Sequence, residues 1–169
     1  MLLNKIEIQD FAIKVYDQWV NKWFVLTCGD YNEGEYNSMI VAWGSFGVMW
    51  KKPFVQVVVR PTRYTFEFME SYDTFTLCGF ASNYRKAMQI LGTRSGRDGD
   101  KIAASGLTPI ASQFVAAPAY KEAKLIIECK KIYSDSLNPA NFNDPDIEKC
   151  YPAQDYHKVY FGEILAVFK

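Results

Sequence analysis

The sequence predicts a mainly β protein, an antiparallel barrel accompanied by a few short helices. Runs of apolar, β-branched and aromatic residues recur along the whole chain as six or seven segments of strand length. They do not alternate regularly with helical segments, which argues against a doubly wound parallel sheet. No internal repeat and no long linker divides the 169 residues, a length at which one domain buries roughly 70% of the surface its unfolded chain exposes.

Asp10 is placed to cap a short amphipathic helix in which Phe11, Val15 and Trp19 recur every four residues, with Ala12 and Tyr16 widening the stripe. Residues 23–28 then read as a strand, 30–35 with Gly29 and Gly34 as its hairpin turn, and 36–43 as the returning strand. The nearly continuous apolar run at 54–59, between Pro53 and Arg60-Pro61, predicts a central strand. From Thr62 the spacing becomes helical, with Tyr64, Phe68 and Met69 on one face and Glu67 and Glu70 toward water. A strand at 74–80 and a short helix at 84–91 follow. Residues 92–106 hold four glycines among charged and hydroxyl residues and read as a loop with one helical turn near 98–103. Strands are expected at 114–117, 125–132 and 159–168, and an irregular surface excursion rich in Asp, Asn and Pro at 134–155.

Lysine plus arginine balance aspartate plus glutamate, 19 against 19, so no global field directs the chain toward nucleic acid or an anionic membrane. The longest uncharged stretch, 36–50, is too short and too polar to span a bilayer, and Lys5, Glu7 and Asp10 interrupt any apolar signal segment. A cytoplasmic protein is expected. Cys28, Cys78, Cys129 and Cys150 form no C-x-x-C pair, and three lie in strand-like runs, which predicts reduced, buried thiols. A zinc site on Cys150 and the lone His157 lacks partners and spacing, so no metal is expected.

The chain carries no G-x-G-x-x-G after a strand, no G-x-x-x-x-G-K-[ST] and no G-x-S-x-G, and its single histidine has no serine near it to form a triad. Three other segments suit a ligand. Arg60-Pro-Thr-Arg-Tyr-Thr65 stands at a strand-to-helix junction, where backbone N–H groups, two guanidiniums and two hydroxyls could converge on a phosphate; the same residues suit a capped helix with two solvated arginines. Thr93-Arg-Ser-Gly-Arg-Asp-Gly-Asp-Lys101 alternates hydroxyls and cations with glycines that admit an anion to the backbone, and equally suits a solvated loop in which Arg97 and Lys101 pair with Asp98 and Asp100. Tyr36-Asn-Ser-Met-Ile-Val-Ala-Trp-Gly44 passes from polar to apolar and ends on glycine, which allows close approach of a flat ring or simply belongs to the core.

In this order the three segments resemble the FMN-binding split-barrel flavin reductase-like family, close to its flavoredoxin-like branch. The resemblance rests on Asn37-Ser-Met-Ile-Val-Ala-Trp43, on Pro53 with Val59-Arg-Pro-Thr-Arg-Tyr-Thr65, and on Ser95-Gly-Arg-Asp-Gly-Asp-Lys101 with Gly106-Leu-Thr108. Two later pieces agree, Ala123-Lys-Leu-Ile-Ile-Glu-Cys129 and His157 with Gly162-Glu163. It implies a single domain over residues 1–169, folded as a six-stranded antiparallel split β-barrel that forms a homodimer with FMN near the subunit interface. It implies that Asn37, Ser38, Met39, Val41, Ala42 and Trp43 line the flavin ring, largely through backbone groups. Arg60, Arg63, Tyr64 and Thr65 would surround the ribityl phosphate, Ser95, Arg97 and Lys101 would complete that site, and His157 would lie near the flavin; no catalytic acid or base is named. The activity implied is hydride transfer from NADH or NADPH to flavin. A flavoredoxin-like relay fed by an electron-transfer protein and a noncatalytic flavin or haem binder are the alternatives. The chain departs from the family at Val48-Met-Trp-Lys-Lys-Pro53, where many members carry a double proline, and at Tyr156, where glycine is usual beside the histidine.

Overall fold

The structure, a computed structural model, describes residues 3–169. Its strands are β1 (Lys5–Ile6), β2 (Phe24–Asp30), β3 (Glu35–Val41), β4 (Gly44–Met49), β5 (Lys52–Val59), β6 (Thr74–Gly79), β7 (Pro109–Ile110), β8 (Ala119–Tyr120), β9 (Leu125–Ser136) and β10 (Lys158–Phe168). Its helices are α1 (Val15–Asp17), which runs into a π turn at Gln18–Lys22, α2 (Tyr64–Ser71), α3 (Arg85–Thr93) and α4 (Lys101–Ser105).

Seven strands follow one another in the order β3-β2-β6-β9-β10-β5-β4, β1 adds to β10, and β7 pairs with β8 apart from them. Every pairing is antiparallel. The sheet curls into a barrel, since Met39 and Val41 of β3 share one buried core with Val55, Val57 and Val59 of β5. It is not closed: β3 and β4 stand at opposite ends of the hydrogen-bonded order and are joined only through Ala42 and Trp43. Among the described residues β3 therefore pairs with β2 alone and keeps one free backbone edge.

β2 shows why its sequence is apolar at nearly every position. Phe24, Leu26 and Cys28 point into the barrel, whereas Val25 points outward beneath a second layer built from α3, α4 and β8, in which Met88, Leu91, Ile102 and Tyr120 are buried. A strand covered on both faces loses the polar alternation of a half-exposed one. Thr27 also faces that outer layer, where Ser38 Oγ lies 2.8 Å from Thr27 Oγ1 and 2.6 Å from the Tyr120 hydroxyl, so each buried hydroxyl has a partner. Among the described residues, no helix is long and apolar enough to cross a membrane.

Several local expectations are corrected. Asp10 caps no helix; it ends a 3-10 turn at Ile8–Asp10. Residues 11–14 form no helix, with Phe11 and Ile13 packed on the core and Ala12 and Lys14 exposed, and the helix begins only at Val15. β4, which no apolar run marked, is pinned to β5 by a two-residue turn in which Trp50 and Lys51 take φ of 53° and 60°, the left-handed pair that a tight hairpin needs. Residues 114–117 are not a strand, because the buried Glu128 carboxylate accepts the N–H groups of Gln113 (2.9 Å) and Phe114 (2.6 Å) and holds this backbone away from the sheet. The strand in this region is β8, two positions later. The helical turn expected at 98–103 is α4, capped by Asp100 through the Ala103 N–H. The excursion at 134–155 begins only after β9, which runs to Ser136, and it contains two 3-10 turns, at Pro139–Asn141 and Pro145–Cys150. All four cysteines are free; Cys28, Cys78 and Cys129 are buried as expected, and Cys150 is exposed.

Candidate functional site

The free edge of β3 faces the junction where β5 ends and α2 begins, and the C-terminal end of α3 closes over both. Between them lies a cleft of about 470 Å³ lined by Trp23, Met39, Arg60, Arg63, Gly92 and His157, among others. The start of α2 separates it from a second cleft of about 700 Å³, to which Asn37, Tyr64, Gly96 and Lys101 contribute. Gly96 seats the loop after α3 against this wall: a Cβ there would stand 2.5 Å from Asn37 Oδ1 and 2.7 Å from Tyr64 Cδ1, so only glycine allows the approach.

Four of the cations expected around a phosphate come to this region, and they fall into two kinds. Arg60 makes two contacts with the Asp155 carboxylate, at 2.7 and 2.9 Å, and also donates to the Cys150 carbonyl. Arg97 pairs with Glu67 and lies over the Tyr64 ring rather than pairing with its neighbour Asp98. Both charges are thus compensated. Arg63 and Lys101 are not: neither enters an ion pair among the described residues. Arg63 donates to the Gly92 carbonyl at 2.7 Å. Lys101, only 5% exposed, donates to the carbonyls of Leu91 and Arg94 at 3.1 and 3.2 Å.

Lys101 is therefore not the solvated partner of Asp98 and Asp100 that its loop also allowed. It and Arg63 lock the negative end of the α3 dipole, and one of the three lysine N–H donors is left over. Burial pushes the Lys101 ammonium down to about 8, with Arg63 adding to the shift, and burial together with Arg60 holds the Arg63 guanidinium below its ordinary value. Arg63 lines the first cleft and Lys101 the second, whose wall also carries Glu35 and Asp100; two like charges held at the end of α3 with neither in an ion pair favour an anion.

The other expected residues have more varied places. Asn37 is buried and donates to Thr65 Oγ1 at 2.7 Å, tying β3 to α2. Ser38 belongs to the hydroxyl network of the outer layer, and Val41 points into the barrel core. Met39 reaches both the core and the cleft. Ala42 is half-buried. Trp43 is 49% exposed, with its ring 5.1 Å from that of His157. Ser95 turns inward to accept the Arg97 N–H at 3.2 Å. His157 is buried, its Nδ1 2.9 Å from the Tyr151 hydroxyl. Burial first and Arg60 second push its imidazole down to about 4, so it is uncharged at neutral pH.

Asp155, Tyr151, Gln89 and Trp23 were not anticipated as lining residues. Gln89 and Thr93 follow Arg85 at helical spacing, a signal readable once α3 is assigned. Asp155 lies 95 positions from Arg60 and had no local signal.

A family model described as flavin reductase like domain matches residues 20–168. Among solved structures, the chain is similar to flavoredoxin of Desulfovibrio vulgaris (Miyazaki F), with 25% identity, a TM-score of 0.66, and 86% of this chain and 68% of that one covered. It is also similar in fold to an FMN-binding domain of flavin reductase-like enzyme from Shewanella baltica, with 17% identity and a TM-score of 0.70 over 99% and 78% of the two chains. The same holds for an NADH:FAD oxidoreductase of Streptomyces globisporus, with 16% identity and a TM-score of 0.66 over 86% and 73%. No curated protein matches.

Proposed function

The chain belongs to the flavin reductase-like family, and we propose that it is an oxidoreductase that binds FMN along the free edge of β3 and accepts hydride from NADH or NADPH. The observation that carries this reading is the pair Arg63 and Lys101, two cations held on carbonyls without a carboxylate, within reach of that edge. They suit a phosphate. The unpaired N–H and C=O groups of β3 suit the polar rim of a flat heterocycle, and Trp43 beside an uncharged His157 supplies a wall of ring faces. FMN, when bound, supplies the hydride-accepting chemistry. The chain's share is to position the ring, to limit water, and to place donors where the cofactor's negative charge lies.

The test is a pair of measurements. FMN is expected to bind at least about a hundredfold tighter than riboflavin, since two charge-assisted contacts contribute roughly 1.5 to 3 kcal/mol each; equal affinities would remove the phosphate site. Anaerobic mixing of the FMN-loaded protein with NADH or NADPH should bleach the flavin promptly. Bleaching only by a protein donor would favour the flavoredoxin-like relay instead, a reading that the likeness to a flavoredoxin makes worth testing.

A homodimer is part of the proposal. The β4–β5 hairpin exposes Val48, Met49 and Trp50, and Trp50 lies 6.1 Å from the likewise exposed Tyr133, an apolar patch of the kind that subunit contacts cover. Light scattering should return twice the 19.4 kDa chain mass; a monomer that still binds FMN tightly would overturn the interface. Four free thiols suit a reducing compartment and a cytoplasmic protein.

A further inference from the structure

A cavity of about 880 Å³ lies away from the β3 cleft, between α1 with its π turn and the segment leading from β6 into α3. Its floor is apolar, made by Ile13, Phe80, Met88 and Leu125. Its walls carry Lys14, Lys22, Arg85, Lys124 and Lys169, and no Asp or Glu side chain lines it among the described residues. A chain with equal numbers of acids and bases has thus placed five cations around one groove, a local excess that favours an anion.

Three of the five are engaged. Lys22 pairs with Asp17 at 2.8 Å, Lys169 donates to the Ala12 carbonyl at 3.2 Å, and Arg85 donates to the Asn21 carbonyl at 2.8 Å while lying 3.3 Å over the Trp23 ring. Lys14 and Lys124 are exposed and make no side-chain hydrogen bond or ion pair among the described residues. They come from different segments, Lys14 from the N-terminal segment and Lys124 from the turn before β9, and both line the groove. The apolar floor has no use for inorganic phosphate, and the volume falls in the range of roughly 300 to 1,000 Å³ typical of small-molecule sites.

We propose that this groove binds a nucleoside diphosphate, with the pyrophosphate between Lys14 and Lys124 and the base on the apolar floor. Trp23, on which Arg85 lies, also lines the β3 cleft, and Gln89 of that cleft follows Met88 of the groove, so the two share a wall. The ligand is thus either a free nucleotide or the distal half of a dinucleotide whose other end reaches the cleft. Only the second source rests on the flavin reading.

Calorimetric titration of the FMN-saturated protein with ADP, adenosine and inorganic pyrophosphate tests the site. ADP is expected to bind at least about tenfold tighter than either fragment, because charged and apolar contacts both contribute. The double substitution Lys14→Gln, Lys124→Gln should weaken ADP at least about tenfold with FMN affinity and thermal midpoint unchanged. No ADP binding, unaltered binding in the double variant, pyrophosphate binding as tight as ADP, or displacement of ADP by excess FMN would each overturn the proposal. ADP competing with NADPH in steady-state flavin reduction assigns the site to a dinucleotide donor, and ADP binding without competition assigns it to a free nucleotide. Failure of NADPH to reduce the flavin would count against the flavin reading and leave the ADP titration intact.

Discussion

Arg63→Gln and Lys101→Met should each weaken FMN binding by roughly 1 to 3 kcal/mol, a factor of about 5 to 150, with riboflavin affinity nearly unchanged. The comparison of the two flavins is essential because both side chains also hold carbonyls at the end of α3. Losing one of those hydrogen bonds costs about 1 kcal/mol of fold stability, which urea denaturation reads separately. The double variant should be non-additive by about 0.5 to 3 kcal/mol, since contacts to one ligand group couple and the Arg63 charge already weighs on Lys101. If FMN and riboflavin bind alike in the wild type and in every variant, the pair serves α3 alone and the phosphate assignment fails.

The second large effect is on stability at mildly acid pH. His157 is the only histidine in the chain, and its folded value of about 4 lies below the ordinary 6.5. The uncharged ring is therefore preferred in the fold, and the unfolded chain binds the extra proton between these values. Its stabilising contribution is complete above about pH 6.5 and is lost as pH falls toward 4, amounting to about 2 kcal/mol between pH 7 and pH 5. Arg60, which repels the imidazolium, and Asp155, which attracts it, both face the ring. Glu128 titrates in the opposite sense, because burial raises its carboxyl. Urea midpoints at pH 7 and pH 5, for wild type and His157→Gln, isolate the histidine's share; an imidazole that NMR shows titrating near 6.5 in the native protein would end the argument.

How much of this was legible in the chain depended on the range of the interaction concerned. A strand buried on both faces, such as β2, announces itself because burial excludes polar residues from most consecutive positions. β4 escaped because it begins on glycine, where a Cβ would meet the Trp19 ring at 2.5 Å, and ends in a turn without Asn or Gly. Residues 114–117 misled for the reverse reason: their β-branched and aromatic character is real, but a carboxylate on β9 takes two N–H groups at that point. The segments that form the candidate site could be listed from sequence, yet the division of their cations could not. Asp155 neutralising Arg60 and Glu67 neutralising Arg97 are contacts across 95 and 30 positions, and only the folded chain separates the two spoken-for charges from Arg63 and Lys101.

The open edge of β3 has a cost apart from ligand binding. An unpaired strand is a template on which any extended chain can add itself, the first step of sheet-to-sheet association. Here the end of α3 and the loop beyond it crowd that edge, with Gly92 against Ile40 and Gly96 against Asn37. Such a shelter admits a small flat molecule and refuses a peptide backbone with side chains on both faces. The glycines at 92 and 96 thus act as guards against self-association as well as spacers for a ligand, and a bulkier residue at either would lift the shelter and leave the strand bare.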